Sequence, residues 1–247
     1  KVEEEVVGGL YVLGANLDYT GITPAQTFKG AIFDGCGFVI DGVSIGTANA
    51  GFFGWGDSSD PTTITNVAFT NASFTGENNG LFYGYIAGAT MTFENIFVHV
   101  SSDTSTGHHG VLSRMVNNYT SIKMKNMVVW YETRTTVHEK AGALLGWGQT
   151  GSSLTVSDSY VVMPAASANN NLVGVRSAND QLRQVIANDL TACGFGQGFL
   201  ELHNTGVLVR RGTGLDIVLN LLFQLVRTYK ILHKHNACFH HLSADFV

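Results

Sequence analysis

The sequence predicts an all-β fold, a right-handed parallel β-helix (β-solenoid) whose coils are about thirty residues long, over residues 1–164. Three observations carry this expectation. A Gly-plus-apolar block recurs along the chain, a strand-like block recurs between its copies with the same period, and that second block alternates apolar and polar residues.

The first block reads Gly51-Phe-Phe-Gly-Trp-Gly, Gly80-Leu-Phe-Tyr-Gly-Tyr, Gly110-Val-Leu-Ser-Arg-Met and Gly142-Ala-Leu-Leu-Gly-Trp, with starts 29, 30 and 32 residues apart. The second reads Thr63-Ile-Thr-Asn-Val-Ala-Phe, Thr92-Phe-Glu-Asn-Ile-Phe-Val, Lys123-Met-Lys-Asn-Met-Val-Val and Thr155-Val-Ser-Asp-Ser-Tyr-Val. Ile64, Phe93, Met124 and Val156 share one register, and Asn66, Asn95, Asn126 and Asp158 another, at spacings of 29, 31 and 32. Alternation with period two is the mark of a strand with one buried face. One coil cannot bury that face alone, whereas stacked coils make a continuous core.

The Asn register admits two readings. It is an amide ladder at a corner, ended by Asp158, or a set of turn residues placed there because turns favour Asn and Asp. Upstream, Leu10-Tyr-Val-Leu and Phe28-Lys-Gly-Ala-Ile-Phe-Asp-Gly-Cys-Gly-Phe-Val-Ile read as strands broken by Gly turns. Aligning Ile40-Asp-Gly-Val-Ser-Ile with Ile64-Thr-Asn-Val-Ala-Phe puts Gly42 where Asn66 sits, so the repeat begins before residue 51.

Composition shifts after Pro164. Residues 1–164 carry a formal charge of −7 and residues 165–247 one of +2. Val173-Gly-Val and Gly198-Phe-Leu-Glu-Leu read as weak further coils. Apolar residues at 215, 218, 219, 222, 225, 226 and 229 form a helical stripe, which predicts an amphipathic helix over 215–233. Such a helix would cap the solenoid or join it to another copy as a homo-oligomer. Asn220, Gln224, Arg227 and Lys230 interrupt it too often for a membrane span.

The net charge of −5 gives no electrostatic pull toward nucleic acid. Cys36, Cys193 and Cys238 are odd in number and form no CxxC, so neither a disulfide framework nor a zinc knuckle is expected. The chain opens on Lys1-Val-Glu-Glu-Glu, which reads as a processed chain or a piece of a longer one.

Phe28-Lys-Gly-Ala-Ile-Phe-Asp-Gly-Cys-Gly-Phe-Val-Ile, followed by Gly-Phe-Phe-Gly and Ile-Thr-Asn-Val, resembles the GLUG-type repeats of bacterial surface proteins, adhesins and phage structural proteins. The resemblance covers residues 9–164. It implies a parallel β-helix displayed outside the cell or on a virion, and it brings no catalytic residues. The Gly110 block departs from it by lacking the second Gly, and nothing after about residue 175 keeps the pattern.

Parallel β-helices also host polysaccharide lyases and glycoside hydrolases, which need two or three carboxylates around one bond. Asp34 and Asp41 are the candidates, although Phe-Asp-Gly also reads as a turn. Gly107-His-His-Gly resembles one element of polygalacturonases, but the other elements are absent. His99, His108 and His109 would form a metal site only if they met across a corner; no carboxylate or Cys shares their register, so no metal or cofactor is expected. The tail residues His233, His235, Cys238, His240 and His241 match no zinc spacing.

Trp55, Tyr83, Tyr85, Trp130, Tyr131 and Trp147 recur near equivalent coil positions. They read either as a platform for sugar rings or as core, since the alternation must bury some of them. The functional expectation is an extracellular structural or adhesion module on a bacterial surface or virion, with a glycan or host-surface receptor as partner.

Overall fold

The computed structural model describes residues 6–24, 27–136, 138–149, 151–164 and 171–174, with strand segments at 185–187, 199–200 and 207–211. Among these residues there are strands and turns but no helix, and their parallel sheets stack as a β-solenoid of about 4 turns. The expected helix over 215–233, the His-containing tail, Cys193 and Cys238 lie outside the described residues.

The long strands are the second repeat block. Thr62–Phe74, Thr90–Asp103 and Ser121–Tyr131 pair in parallel, each coil on the next, and Ser153–Ser157 and Ser159–Met163 continue the sheet. Phe93 lies opposite Ile64 on one side and Met124 on the other, and Met124 lies opposite Val156. All four side chains are buried. This is the register read from the sequence, and burying each such side chain contributes about 1.5–3 kcal/mol.

The Gly-plus-apolar blocks form a second wall of the same core. Phe52, Phe53, Leu81, Phe82, Tyr83, Val111, Leu112, Ala143, Leu144 and Leu145 are all buried. Their backbones bond from coil to coil, Phe52 N–H donating to the Leu81 carbonyl (2.8 Å), Phe82 to Val111 (2.9 Å) and Leu112 to Leu144 (2.9 Å). Phe69 from one wall meets Phe52 (5.3 Å) and Phe82 (5.0 Å) from the other, and Phe82 stacks on Phe93 at 5.4 Å. Offset and edge contacts of this kind add to the area buried. Coil backbones also come close here, which explains the glycine that opens each block: a Cβ on Gly110 would stand 2.6 Å from the Leu144 carbonyl oxygen.

The alignment of the opening stretch needs correction. Ile32–Asp34 pairs with Thr63–Thr65, so Phe33, not Ile40, stands opposite Ile64; Ile40 pairs with Phe69. Cys36 (φ 50°) comes at the Asn66 corner, whereas Gly42 (φ 74°) comes at the next left-handed corner, Asn71 (φ 51°). Two apolar runs flank two left-handed corners a few residues apart, and Gly and Asn both tolerate that conformation. The sequence matched one corner to the other.

Stacking continues past Pro164. Leu144 donates to the Leu172 carbonyl (2.9 Å), Val185–Ala187 pairs with Leu154–Val156, and Val207–Arg211 pairs in parallel with Ser159–Met163. Phe199–Leu200 adds to Val207–Arg211 in the antiparallel sense.

Candidate functional site

The carboxylates singled out by sequence serve corners. Asn66 Nδ2 donates to Asp34 Oδ1 (3.1 Å), Asn95 Nδ2 to Asn66 Oδ1 (3.1 Å) and Asn126 Nδ2 to Asn95 Oδ1 (2.7 Å). The three Asn residues have φ of 53°, 57° and 48°. Every amide points its donor toward the first coil, so the ladder needs a terminal acceptor there, and Asp34 supplies one. Asp158 has the same corner conformation (φ 48°) without a hydrogen bond to Asn126 among the described residues. Asp41 accepts from Thr70 Oγ1 and from Asn71 Nδ2 (2.8 Å), on the far side of the Asn66 corner from Asp34. Cys36 is a free thiol at this corner; burial, and then the Asp34 carboxylate, push its pKa up.

Inside the solenoid lies an ionic group that the sequence reading missed. The Asp103 carboxylate is fully buried, and its Oδ2 meets His109 Nε2 (2.9 Å) and Arg134 Nε (2.9 Å), both also fully buried. His109 Nδ1 faces the Gly107 carbonyl (3.0 Å), and the Arg134 guanidinium lies 5.2 Å from the Tyr131 ring centroid. The available signal was spacing: Asp103 and Arg134 are 31 residues apart, one coil, as are Asn95 and Asn126. Unlike the Asn row, this pair has no other copies in the repeat.

The three histidines do not converge. His109 points into the core, its neighbour His108 is half-buried at the surface, and His99 stacks on Trp130 at 4.2 Å with Glu132 at 3.1 Å. His108 lies in the bend before the short strand His109–Gly110, and the chain's change of direction there separates 108 from 109. No metal-binding group of His, Cys, Asp and Glu occurs among the described residues.

The aromatic set divides. Tyr83 must be withdrawn from any platform: it is fully buried, and its hydroxyl donates to the Phe28 carbonyl (2.9 Å). Tyr131 is buried as well, donating to the Ala143 carbonyl (2.8 Å). Trp130 belongs to the long-strand sheet, beside His99. What remains is one row on the four-stranded sheet formed by Trp55–Gly56, Tyr85–Ala87, Ser113–Asn117 and Leu145–Gly148. Tyr85 is paired with Trp55 and Met115 with Trp147, and the pairing of Ile86 with Val116 sets Met115 beside Tyr85, so the row runs Trp55, Tyr85, Met115, Trp147 over successive coils.

Trp55 is 48% exposed and sits edge-on to Tyr85 at 5.6 Å, its indole N–H donating to the Asn49 carbonyl (3.2 Å). Tyr85, Met115 and Trp147 are half-buried. Gly56, Ile86, Val116 and Gly148, the next residues along each strand, are buried, and the Ile86 and Val116 side chains lie in the core. At the far end Lys140 Nζ lies 4.0 Å from the Trp147 ring centroid, and His108 meets that ring edge-on at 5.3 Å.

No known protein family, curated protein or solved structure matches the chain.

Proposed function

We propose that the chain is an extracellular scaffold and adhesion module of a bacterial surface or phage virion, binding a glycan along one face of its solenoid. The observation that carries this reading is the outward row Trp55, Tyr85, Met115 and Trp147, one side chain from each of four coils. The faces of sugar rings are apolar C–H surfaces that stack on aromatic rings while their hydroxyls stay wet. Rings held by a rigid sheet lose little rotamer freedom on binding, so contact is not offset by ordering cost. The Gly-Phe-Phe-Gly and Ile-Thr-Asn-Val motifs, which resemble GLUG-type repeats, support the same reading and suggest display outside the cell.

The test is a glycan array followed by calorimetry on the best ligand. Trp55→Ala should weaken binding by about tenfold or more, equivalent to about 1.4 kcal/mol, with no change in melting temperature. Appearance of new reducing ends or unsaturated products during incubation would overturn the module in favour of a lyase or hydrolase.

A further inference from the structure

Next to the aromatic row lies a basic cluster of Lys140, His108 and His138, with Arg114 in the row's own sheet. Lys140 rests over Trp147, and His108 is 5.3 Å from both the Trp147 and the His138 rings, centroid to centroid. Arg114 precedes Met115 in its strand and is anchored by Nε to the Gly84 carbonyl (2.9 Å). Neither Lys140 nor Arg114 makes an ion pair among the described residues. The adjacent Glu139 is exposed and makes none either.

Two nitrogens of the cluster, His108 Nδ1 and Trp147 Nε1, are buried with no hydrogen-bond partner. Burial, and then the charges of Lys140, His138 and Arg114, hold the His108 imidazole down to about 4. At neutral pH His108 is thus uncharged and able to donate or accept, while Lys140 and Arg114 supply the positive charge.

We infer that this cluster binds the carboxylate of an acidic saccharide, a uronic acid unit, with Lys140 meeting the carboxylate and Trp147 then receiving the sugar ring. A cation over an indole face at a partly exposed site is weakly held. A carboxylate is the stronger partner for an ammonium group. Drawing Lys140 toward the anion uncovers the Trp147 face and opens a way to the two unpartnered nitrogens. One ammonium over one indole fits a single anionic group beside a flat ring. A phosphate polymer is drawn by a longer basic track, and this chain is acidic overall. The inference rests on the glycan-binding reading and names the sugar class that the row's far end selects.

The experiment compares a galacturonate oligomer with its neutral galactose counterpart of equal length, by calorimetry and tryptophan fluorescence on the whole chain. Wild type should bind the acidic oligomer about tenfold more tightly than the neutral one. Lys140→Met, which keeps the aliphatic stem at a half-exposed position, should erase that margin and leave neutral binding in place. The part of the fluorescence change that galacturonate causes and the galactose oligomer does not should disappear in Trp147→Phe, while the part from Trp55 remains. Equal affinities in wild type, or a margin that survives Lys140→Met, would overturn the inference alone, provided binding still depends on Trp55. Failure of both oligomers to bind would overturn the glycan reading with it. Binding of a DNA oligomer as tightly as galacturonate would also count against a saccharide site.

Discussion

At Asn66, Asn95 and Asn126 the side chain meets two demands, a left-handed backbone and an amide bond to the neighbouring coil. Substitutions separate them. Asn95→Gly keeps the conformation and loses both ladder bonds, at about 0.5–1.5 kcal/mol each. Asn95→Ala also forces an L side chain into the left-handed region, which costs about 1–2 kcal/mol more. Urea melts should therefore rank wild type, then Gly, then Ala; equal stability of Gly and Ala would remove the conformational part of the argument. Asp103 presents a different case. Asp103→Asn breaks the buried Asp103–Arg134 ion pair, and breaking a buried pair costs about 3–5 kcal/mol. The double variant Asp103→Asn/Arg134→Met should recover part of that loss. A single variant as stable as wild type would show that the buried pair contributes little.

At the level of the strand and the block, the glycines set how closely coils approach. Gly110→Ala drives a methyl group against the Leu144 carbonyl and the Leu145 backbone, so the strands must separate. Overpacking of this kind costs about 1–3 kcal/mol, readable as a lower melting temperature; an unchanged melt would mean that the coils have slack there. The elements were largely legible in the sequence because alternation and period are properties of single positions: Ile64, Phe93, Met124 and Val156 announce an inward row by themselves. The opening stretch was misaligned because Gly42 and Asn66 tolerate the same backbone, so composition could not tell one corner from the next. The aromatic set was only half legible. Tyr83 and Tyr85 are two residues apart yet lie on opposite sides of the wall, because the Gly-plus-apolar block turns before its strand begins. The buried Asp103, His109 and Arg134 group escaped because no composition signal separates a paired charge inside from a solvated one outside.

Across the solenoid as a whole, stability is a nearest-neighbour property, each coil resting on the ones beside it. The opening coils are thin, with Leu10, Val12, Leu17 and Ile32 exposed, whereas Thr90–Asp103 is paired on both sides. Amide exchange should accordingly be fastest at Leu10–Val12 and slowest in Thr90–Asp103; uniform protection would contradict coil-by-coil stability. The central claim is that one period of sequence is one coil of structure. Cysteine cross-linking tests it most directly, in a background with Cys36, Cys193 and Cys238 replaced by Ser. Glu94 and Lys125 are paired partners whose side chains meet at 3.2 Å, while Ser157 pairs with Lys125 one coil beyond. Adjacent coils are about 4.8 Å apart, within the reach of a disulfide, and two coils at about 9.6 Å are not. Glu94→Cys with Lys125→Cys should close an intramolecular disulfide readily, and Glu94→Cys with Ser157→Cys should not. A bridge in the second pair, or bridging in the first only between molecules, would contradict the stacking.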